Sequence, residues 1–536
     1  MVSFTRTVTA AAGVFAPGHL GELTSLVPFE LVDEVLEQTK TVQRRLRALP
    51  SRAGVYFVLA LGLFPGLGYA RVWAKLTAGL AGLPGLDVCR PSEKALRDLR
   101  RRLGPAPLKA LFEVLAGPLA WPYAPGVRFC GLRTVAFDAC SSLHAPDTAR
   151  NRAWPGRLRC PGGGLAAYPS LRLMALAETG TRGLLGAVTG AGASHEVALA
   201  RRLVHLLQPG MLVLADRAFD DAAFLAEVAG TGAAFLTRAS AARNPVAETV
   251  LPDGSYLSRI GTLHVRIIEA HITMTGAGGS HIRDRYRLIT TLADHRRYPA
   301  AVLVRLYHER WEIESAYYAL RHTLLEGRLL RSGDRPGAEQ EIWALLALYQ
   351  LLRMAMTDAT ATRPGTDPDR ASFTTALQTA RDQLTTATGI TTPALPGAIG
   401  RAVLATLLPP RRPRYSARTV KTSRSRYPSR PATPPPAGTR PALPTTITAI
   451  TITITTPLPG HHPQPRNRTY PARPGTYRHQ VQALMNTHPP RPWHHTELAT
   501  TLGIPAAKLH VKLADWTRRG YLTRTKPGTY ILTTPP

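Results

Sequence analysis

The sequence predicts a mixed α/β fold that follows a helical segment and precedes a basic tail. Residues 1 to about 120 show the apolar spacing of helices and no strand-like alternation. From about residue 125, short apolar segments alternate with turns and one amphipathic helix. Beyond about residue 409, proline, threonine and arginine dominate. Two antiparallel strands beside a parallel crossover predict a mixed sheet with helices packed against it.

The length and charge of the chain narrow its class. A chain of 536 residues is long enough for three or four folded units, and its hydrophobic fraction of 44% is typical of globular proteins. A net charge of +31 favours a polyanionic partner, either nucleic acid or an anionic membrane surface. The most apolar stretch, residues 53–69, contains Pro65 and is short for a membrane span, so it predicts buried helices. Nucleic acid is therefore the expected partner, with no membrane involved.

The cysteines indicate a reducing compartment. Cys89, Cys130, Cys140 and Cys160 form no CxxC pair and have no histidine array beside them, which argues against a zinc site. We interpret them as free thiols of a cytoplasmic protein. The N-terminal sequence lacks the long apolar core of a secretory signal, which agrees with that location.

Changes in composition divide the chain into five predicted parts. They are a helical N-terminal domain (1–120), a sheet domain (121–360) with a β-rich insertion at about 235–292, a helical C-terminal extension (361–408), a Pro/Thr/Arg-rich linker without fixed structure (409–476) and a small C-terminal domain (477–536). Within the linker, the run TTITAITITITT has strand propensity and either pairs locally or is an aggregation hazard.

Two aspartates follow apolar strand segments in the sheet domain. Asp138 ends the segment RTVAFD, and Asp216 ends MLVLAD. Residues at the carboxyl ends of strands line the cleft in which α/β proteins bind ligands, so neighbouring strands would bring the two carboxylates together. The alternative for each aspartate is a turn or a helix cap, which is the commoner role of an aspartate at a strand end.

A third acidic residue lies on a long predicted helix that opens at Tyr298-Pro299 and runs to about Gly327. At about 100° per residue, four side chains fall within an arc of roughly 60° beside an apolar stripe. These four are Tyr307, Arg310, Glu314 and Arg321. An Arg–Glu pair four residues apart is also consistent with a simple surface ion pair. One carboxylate, an aromatic hydroxyl and two guanidiniums on one face favour a site for metal and phosphate.

Three carboxylates suit phosphodiester chemistry. Two Mg²⁺ ions about 3.5–4 Å apart activate the nucleophile and stabilise the leaving oxygen in such reactions. Mg²⁺ prefers oxygen ligands and usually takes one or two carboxylates together with waters. The predicted metal ligands are therefore Asp138, Asp216 and Glu314.

Over roughly residues 10–360, the sequence resembles the DDE transposases of bacterial insertion sequences, specifically the insertion-sequence-four family. FDAC at Asp138 and LVLADRAF at Asp216 resemble the first two acidic motifs of the family. The helical signature Tyr-x2-Arg-x3-Glu-x6-Lys is present as Tyr307, Arg310 and Glu314, with Arg321 in place of the lysine. Arginine keeps the positive charge but is planar and bidentate where lysine is compact.

The resemblance implies a fold, an activity and roles for single residues. It implies a ribonuclease H-like mixed sheet with a β-rich insertion between the second and third acids. It implies cleavage at element ends and transfer of the 3′-hydroxyl into target DNA, with Mg²⁺ as the cofactor and Mn²⁺ as a substitute. Asp138, Asp216 and Glu314 would be catalytic and bind metal, while Tyr307, Arg310 and Arg321 would contact DNA. Trp311 would either stack on a displaced base or pack within the helix.

The resemblance also implies partners and leaves two alternatives. The partners would be double-stranded DNA, as element ends and target, and a second protomer in a homodimer on that DNA. The location would be the bacterial cytoplasm, in association with the nucleoid. One alternative is a catalytically inactive or domesticated sequence-specific DNA-binding protein, and the other is a nuclease of the same fold without strand transfer.

The C-terminal region lies outside this resemblance. Residues 411–536 hold 20 Lys and Arg against two acids, Glu497 and Asp515. After residue 477 the patterns predict three helices and a β-hairpin, which is the order of a winged-helix-like domain. Its third helix would present Lys508 and Lys512 to DNA, and its hairpin would present Arg524 and Lys526. The alternative is a winged helix that binds protein.

Overall fold

The computed structural model divides the chain into two compact units, residues 1–459 and 460–536. The structure describes residues 20–43, 45, 49–78, 89–121, 123–158, 164–240, 242–276, 281–386, 396–410, 447–456, 476–487, 491–518 and 521–532.

The N-terminal region is helical, as predicted. The apolar stretch around Pro65 forms most of one helix and the first residue of the next. The first of these helices is buried along nearly its whole length. Among the described residues, no helix is long and apolar enough to cross a membrane. The described helices are α1 (Phe29–Gln38), α2 (Ser51–Leu63), α3 (Tyr69–Leu76), α4 (Glu93–Leu103) and α5 (Ala106–Leu115).

A large mixed sheet forms the centre of the first unit. The elements are β1 (Arg128–Phe129), β2 (Leu132–His144), α6 (Ala149–Ala153), β3 (Ser170–Glu178), β4 (Leu184–Ala191), α7 (Glu196–Arg201), β5 (Met211–Ala215), α8 (Ala222–Gly230) and β6 (Ala234–Arg238). The strand order is β4-β3-β2-β5-β6. The pairs β2–β5 and β5–β6 are parallel, whereas β3 runs antiparallel to both its neighbours. This mixed α/β arrangement is consistent with the ribonuclease H-like fold.

The β-rich stretch continues the same sheet. The strands β7 (Thr249–Val250), β8 (Tyr256–Ile260), β9 (Leu263–Gly276) and β10 (His281–Thr290) extend it in the order β6-β10-β9-β8-β7. All these pairs are antiparallel. All four strands lie within the stretch of about 235–292 that the sequence predicts to be rich in β-structure.

The predicted long helix is interrupted. It consists of α9 (Ala300–Leu306), a 3₁₀ turn (Tyr307–Trp311), α10 (Glu312–Tyr318) and a π-helical turn (Ala319–Leu324). The prediction of one regular helix is wrong in this respect. Residues three apart eclipse each other in a 3₁₀ turn, so Tyr307 and Arg310 line up more closely than 100° per residue would place them.

Helices and one late strand complete the unit. The helices are α11 (Arg335–Ala361), α12 (Phe373–Thr386) and α13 (Ala398–Ala405). The Thr/Ile run forms β11 (Ile447–Ile454), which pairs antiparallel with β9. The predicted strand propensity of this run is therefore confirmed, although its partner β9 is distant in sequence and not local. Alternating isoleucines explain the pairing, because Ile450, Ile452 and Ile454 pack against the core on one face of β11. The described residues include 409, 410, 447–456 and 476 of this segment.

Alternate residues of each central strand face two different cores. In β5, Leu212 and Leu214 join the core that contains the N-terminal helices and α11, whereas Met211 and Val213 join the core beneath α7 and α8. The sheet is thus covered on both faces, as expected for buried parallel strands.

The second unit contains three helices and a small sheet among its described residues. Its core includes Val481, Trp493, Leu509 and Tyr530. The elements are α14 (Tyr477–Thr487), β12 (Trp493–His494), α15 (His495–Leu502), α16 (Ala506–Arg518), β13 (Leu522–Lys526) and β14 (Thr529–Leu532). The helix, helix, helix and hairpin order agrees with the predicted element order.

Candidate active site

Asp138 lies inside a strand. The predicted strand end after Asp138 is wrong, because β2 continues to His144 through its pairing with β3, where Asp138 is opposite Ala175. The parallel pairing of β2 with β5 ends earlier, at Ala136 and Leu214. Alternation places Asp138 on the same face as Ala136 and Cys140. Its Oδ1 accepts a hydrogen bond of 2.8 Å from the amide of Ala139.

Asp216 directly follows β5, as predicted. Asp216 is also a cap, which is the other role that the sequence allows. Its Oδ1 accepts a hydrogen bond of 2.7 Å from the amide of Ala218 at the start of a 3₁₀ turn. The hydroxyl of Thr237 on β6 donates to the main-chain oxygen of Asp216 at 3.1 Å. The strand end and the cap together fix where this carboxylate points.

Glu314 lies in the first turn of α10. Its side chain is 39% exposed, and its Oε1 is 4.0 Å from a guanidinium nitrogen of Arg310. Arg310 itself is 6% exposed. The pair was open to interpretation as a surface ion pair, but burial of the arginine excludes that.

The three acids act electrostatically on one another. Burial raises the pKa of the Asp138 carboxyl to about 7. The positive charge of Arg310 opposes this rise, whereas the negative charges of Glu314 and Asp216 add to it. Asp216 and Glu314 are thus near enough to act on Asp138, although the sequence places these acids up to 176 positions apart.

Arg310 is the cation among these carboxylates. Burial lowers the pKa of its guanidinium, but Tyr307 and the three acids raise it, and the net pKa lies above the ordinary value. No hydrogen-bond partner reaches its buried Nε among the described residues. The guanidinium thus offsets part of the carboxylate repulsion and keeps a buried donor for an acceptor.

The arrangement of the carboxylates suits divalent cations that are held by few protein ligands. Within the described ranges, no three His, Cys, Asp or Glu side chains lie close enough to surround one ion. Burial is the main cause of the raised pKa of Asp138, and the negative charges of Glu314 and Asp216, which a cation would relieve, add to it. Ions held by one or two carboxylates each, with waters completing the shell, suit both observations.

Aromatic residues surround Arg310. The ring of Tyr307 is 3% exposed and packs edge-on against Tyr286 at 5.8 Å between centroids. Burial raises the pKa of Tyr307 to about 12. The partly exposed ring of Trp311 lies 4.6 Å from the Arg310 guanidinium carbon. Trp311 therefore stacks with a cation and still presents surface to solvent.

Arg321 lies in the π-helical turn and acts on residues nearer the C-terminal end of β2 than Asp138. Its positive charge, together with burial, lowers the pKa of His144, and it also acts on the buried thiol of Cys140. Its Nε donates to the main-chain oxygen of Tyr317 at 3.4 Å. Arg321 thus lies beside the second half of β2, where β2 pairs with β3.

Two residues of the site were missed by the sequence analysis. Tyr317, which belonged to the apolar stripe, donates a hydrogen bond of 2.6 Å from its hydroxyl to the main-chain oxygen of Asp138. Glu196 begins α7, and burial raises its pKa with a further contribution from the charge of Asp216. An ion pair of 3.4 Å joins Glu196 to Arg172. An acid in a first helical turn is typical of capping, so the sequence carried no separate signal for Glu196.

The four predicted C-terminal DNA contacts belong to the second unit. Lys512 on α16 and both Arg524 and Lys526 on β13 are exposed. Lys508 lies on α16, and its side chain is outside the described ones.

Three described cysteines, Cys89, Cys130 and Cys140, are free thiols, while Cys160 lies outside the described residues.

Comparisons with known proteins agree with the order of these motifs. Residues 17–113 match the family model of the insertion element 4 transposase N-terminal domain, and residues 134–351 match that of the transposase DDE domain. The chain is 27% identical over 433 residues to "Transposase InsG for insertion sequence element IS4" of Escherichia coli (strain K12), covering 76% of this chain and 94% of that protein. It is 25% identical over 193 residues to "Putative transposase InsZ" of the same organism, covering 36% and 62% of the two chains. The two family models and the similarity to the InsG transposase show that the chain belongs to the DDE transposases of the insertion-sequence-four family.

Proposed function

We propose that Asp138, Asp216 and Glu314 form the active site at which this transposase cuts DNA at element ends and joins the 3′-hydroxyl to target DNA. The proposal is supported by the buried guanidinium of Arg310, which lies 4.0 Å from Glu314 and on which the charges of all three acids act. Charge of this density is costly to assemble and indicates a function. Mg²⁺ is the proposed cofactor, with Mn²⁺ as a substitute. When bound by these acids, it would activate the attacking oxygen and stabilise the leaving one.

The protein's own residues would hold the DNA end. Arg310 has a buried Nε without a partner among the described residues, and a guanidinium is well suited to paired phosphate oxygens. Tyr307 lies against Arg310, with its ring 5.8 Å from the guanidinium carbon, and would fix the direction of that donor. Arg321 would contact a different phosphate of the DNA, because it lies beside the second half of β2. Trp311 presents a partly exposed ring on which a displaced base would stack.

The second unit would supply further DNA binding. We assign it a winged-helix-like fold, in which α16 enters a groove and the β13–β14 hairpin follows the backbone. Exposed Lys512, Arg524 and Lys526 support this assignment, as does the excess of basic residues after position 411. Lys508 on the same helix is the fourth proposed contact.

We further propose that two protomers act together, each on one element end, as a homodimer on double-stranded DNA. The site of action would be the bacterial nucleoid, because the substrate is DNA. The homodimer is what membership of the family implies, because transposases usually act as paired protomers on two element ends.

Cleavage of a labelled element end tests the active site. Wild-type protein with Mg²⁺ should cut the end, and Asp216→Asn should bind it with unchanged affinity and leave it uncut. Asp221→Asn is the matched control, because Asp221 caps α8 five residues later and asparagine caps equally well. A wild-type protein that binds ends without cutting them, or an active Asp216→Asn variant, would refute the proposal.

A further inference from the structure

The turn between β3 and β4 buries an arginine next to the helix that carries Glu314. Arg182 is 5% exposed and has a φ of 61°, a left-handed conformation that is uncommon outside glycine. Its amide donates to the main-chain oxygen of Glu178 at 2.9 Å, and its own carbonyl accepts the hydroxyl of Tyr349 at 2.8 Å. The backbone of this turn is therefore held by the end of β3 and by α11, and its unusual conformation directs the side chain inward.

The guanidinium of Arg182 joins two buried carboxylates. Its Nε donates to Oε2 of Glu312 at 2.5 Å, and a second nitrogen forms an ion pair with Asp369. Glu312 is 1% exposed and Asp369 is 2% exposed. Charged groups of this burial are held in fixed positions, because any movement would expose an uncompensated charge.

Glu312 begins the helical segment that carries Glu314. Two residues along an α-helix differ by roughly 200°, so these two glutamates point to opposite sides of α10. One is fixed in the interior by Arg182, and the other faces Arg310 at the cleft. A clamp on the buried side therefore sets the rotation of the exposed side.

The irregular neighbours of α10 make such a clamp necessary. This segment is seven residues long, with a 3₁₀ turn before it and a π-helical turn after it. The rotation per residue differs among these helix types, at roughly 120° for 3₁₀ and 100° for α. A change between the types would turn α10 about its axis and swing Glu314 away from Asp138. Continuity of the helix alone does not fix that rotation.

We propose that Arg182 is a positioning residue, which through Glu312 fixes the rotation of α10 and hence the place of the Glu314 carboxylate. This inference rests on the proposed role of Glu314. A purely stabilising ion cluster would affect folding alone, whereas a positioning cluster also affects metal affinity and catalysis. Misplacement of a reacting group by about 1 Å costs roughly a hundredfold in rate.

The test uses Arg182→Lys and Glu312→Gln in the full chain, with Arg100→Lys as the matched control. Arg100 is 6% exposed and is paired with the buried Glu341 at 3.0 Å in the helical region, so its substitution perturbs an equally buried ion pair elsewhere. Three quantities are compared: Mn²⁺ affinity of the DNA-free protein by electron paramagnetic resonance, amide hydrogen exchange of α10, and end cleavage with DNA affinity.

Arg182→Lys and Glu312→Gln should weaken Mn²⁺ binding about tenfold and slow cleavage about tenfold to a hundredfold, at unchanged DNA affinity. They should also raise amide exchange in α10. Arg100→Lys, with a similar loss of melting temperature, should leave Mn²⁺ affinity and α10 exchange unaltered.

Equal Mn²⁺ affinity and equal α10 exchange in the wild type and both cluster variants would overturn the positioning role. So would an equal change in Arg100→Lys. The proposed function fails separately, if Glu314→Gln cuts DNA as the wild type does.

Discussion

The hydroxyl of Tyr317 donates a hydrogen bond of 2.6 Å to the main-chain oxygen of Asp138. Tyr317 is 4% exposed and lies three residues after Glu314, on the same side of α10. One hydrogen bond thus ties the segment of the third acid to the strand of the first. The distance between the two carboxylates depends on that tie as well as on the backbone of each element.

Removing this hydroxyl should impair catalysis as well as stability. Tyr317→Phe deletes a hydrogen bond whose net contribution to folding is roughly 0.5–1.5 kcal/mol. Cleavage of a labelled end should fall about tenfold, because α10 is then held less firmly against β2. Tyr318→Phe is the control, since Tyr318 is 61% exposed and adjacent in sequence. Equal cleavage by the two variants, measured at saturating DNA, would contradict a role for the tie.

Tyr317 also marks how far the sequence analysis reached. Its spacing predicted that the ring is buried, which is correct, but no local pattern shows which atom a buried hydroxyl will meet. The same limit applies to Asp138, because the continuation of β2 past it depends on pairing with β3, more than thirty residues away in sequence. Contacts between distant segments decide such features.

Local signals predicted other parts well. The hairpin of β3 and β4, the strand before Asp216 and the C-terminal hairpin all carry apolar runs bounded by turn residues. The irregular turns around α10 carry no such signal, because residues 300–325 contain neither glycine nor proline. The place of β11 in the sheet carries no local signal either, because its partner strand β9 lies far away in sequence.

The arginine at position 321 should tolerate replacement by lysine. Arg321→Lys keeps the positive charge beside the second half of β2, so end cleavage should stay within about threefold of the wild type. Arg321→Gln should weaken binding of element ends. It should also reduce the slope of log affinity against log salt by about one, as expected for the loss of one phosphate contact. Arg305→Gln, at an exposed position on α9, removes the same charge and should change neither. The phosphate role is wrong if both glutamine variants lose affinity equally.

His308 should make the protein less stable in mild acid. Burial, together with the positive charge of Arg310, lowers its pKa to about 4. The folded imidazole therefore stays neutral, while the unfolded one binds a proton below about pH 6.5. A lowered folded pKa gives stability that is present above about pH 6.5 and is lost as the pH falls towards 4. The loss amounts to about 3 kcal/mol.

Urea unfolding at pH 7.5 and pH 5 measures this effect. The wild type should lose more stability between the two values than His308→Phe, which has no proton to bind. His205→Phe, at an exposed position, should behave as the wild type does. An identical pH dependence in the wild type and His308→Phe would show that this histidine is not the source.

The late strand β11 should detach when its buried face becomes charged. Ile452 is partly buried against the core, whereas the neighbouring Thr451 is exposed. Ile452→Lys should therefore release β11 from β9 and increase amide exchange over residues 450–455, while Thr451→Lys should leave it protected. Equal protection in both variants, read by mass spectrometry, would mean that the isoleucine face does not hold the strand.

The C-terminal hairpin should contribute to DNA affinity through charge. Removing one cationic side chain from a DNA phosphate lowers the slope of log affinity against log salt by about one. Arg524→Gln combined with Lys526→Gln should therefore lower that slope by about two for any duplex, because both side chains are exposed and available to the backbone. Arg491→Gln is the control, since Arg491 is already paired with Glu497 and lies over the ring of Trp493 at 3.8 Å. DNA-binding titrations between about 50 and 200 mM salt measure this slope. A slope that the double variant leaves unchanged would contradict phosphate contacts by the hairpin and would favour the alternative, a winged helix that binds protein.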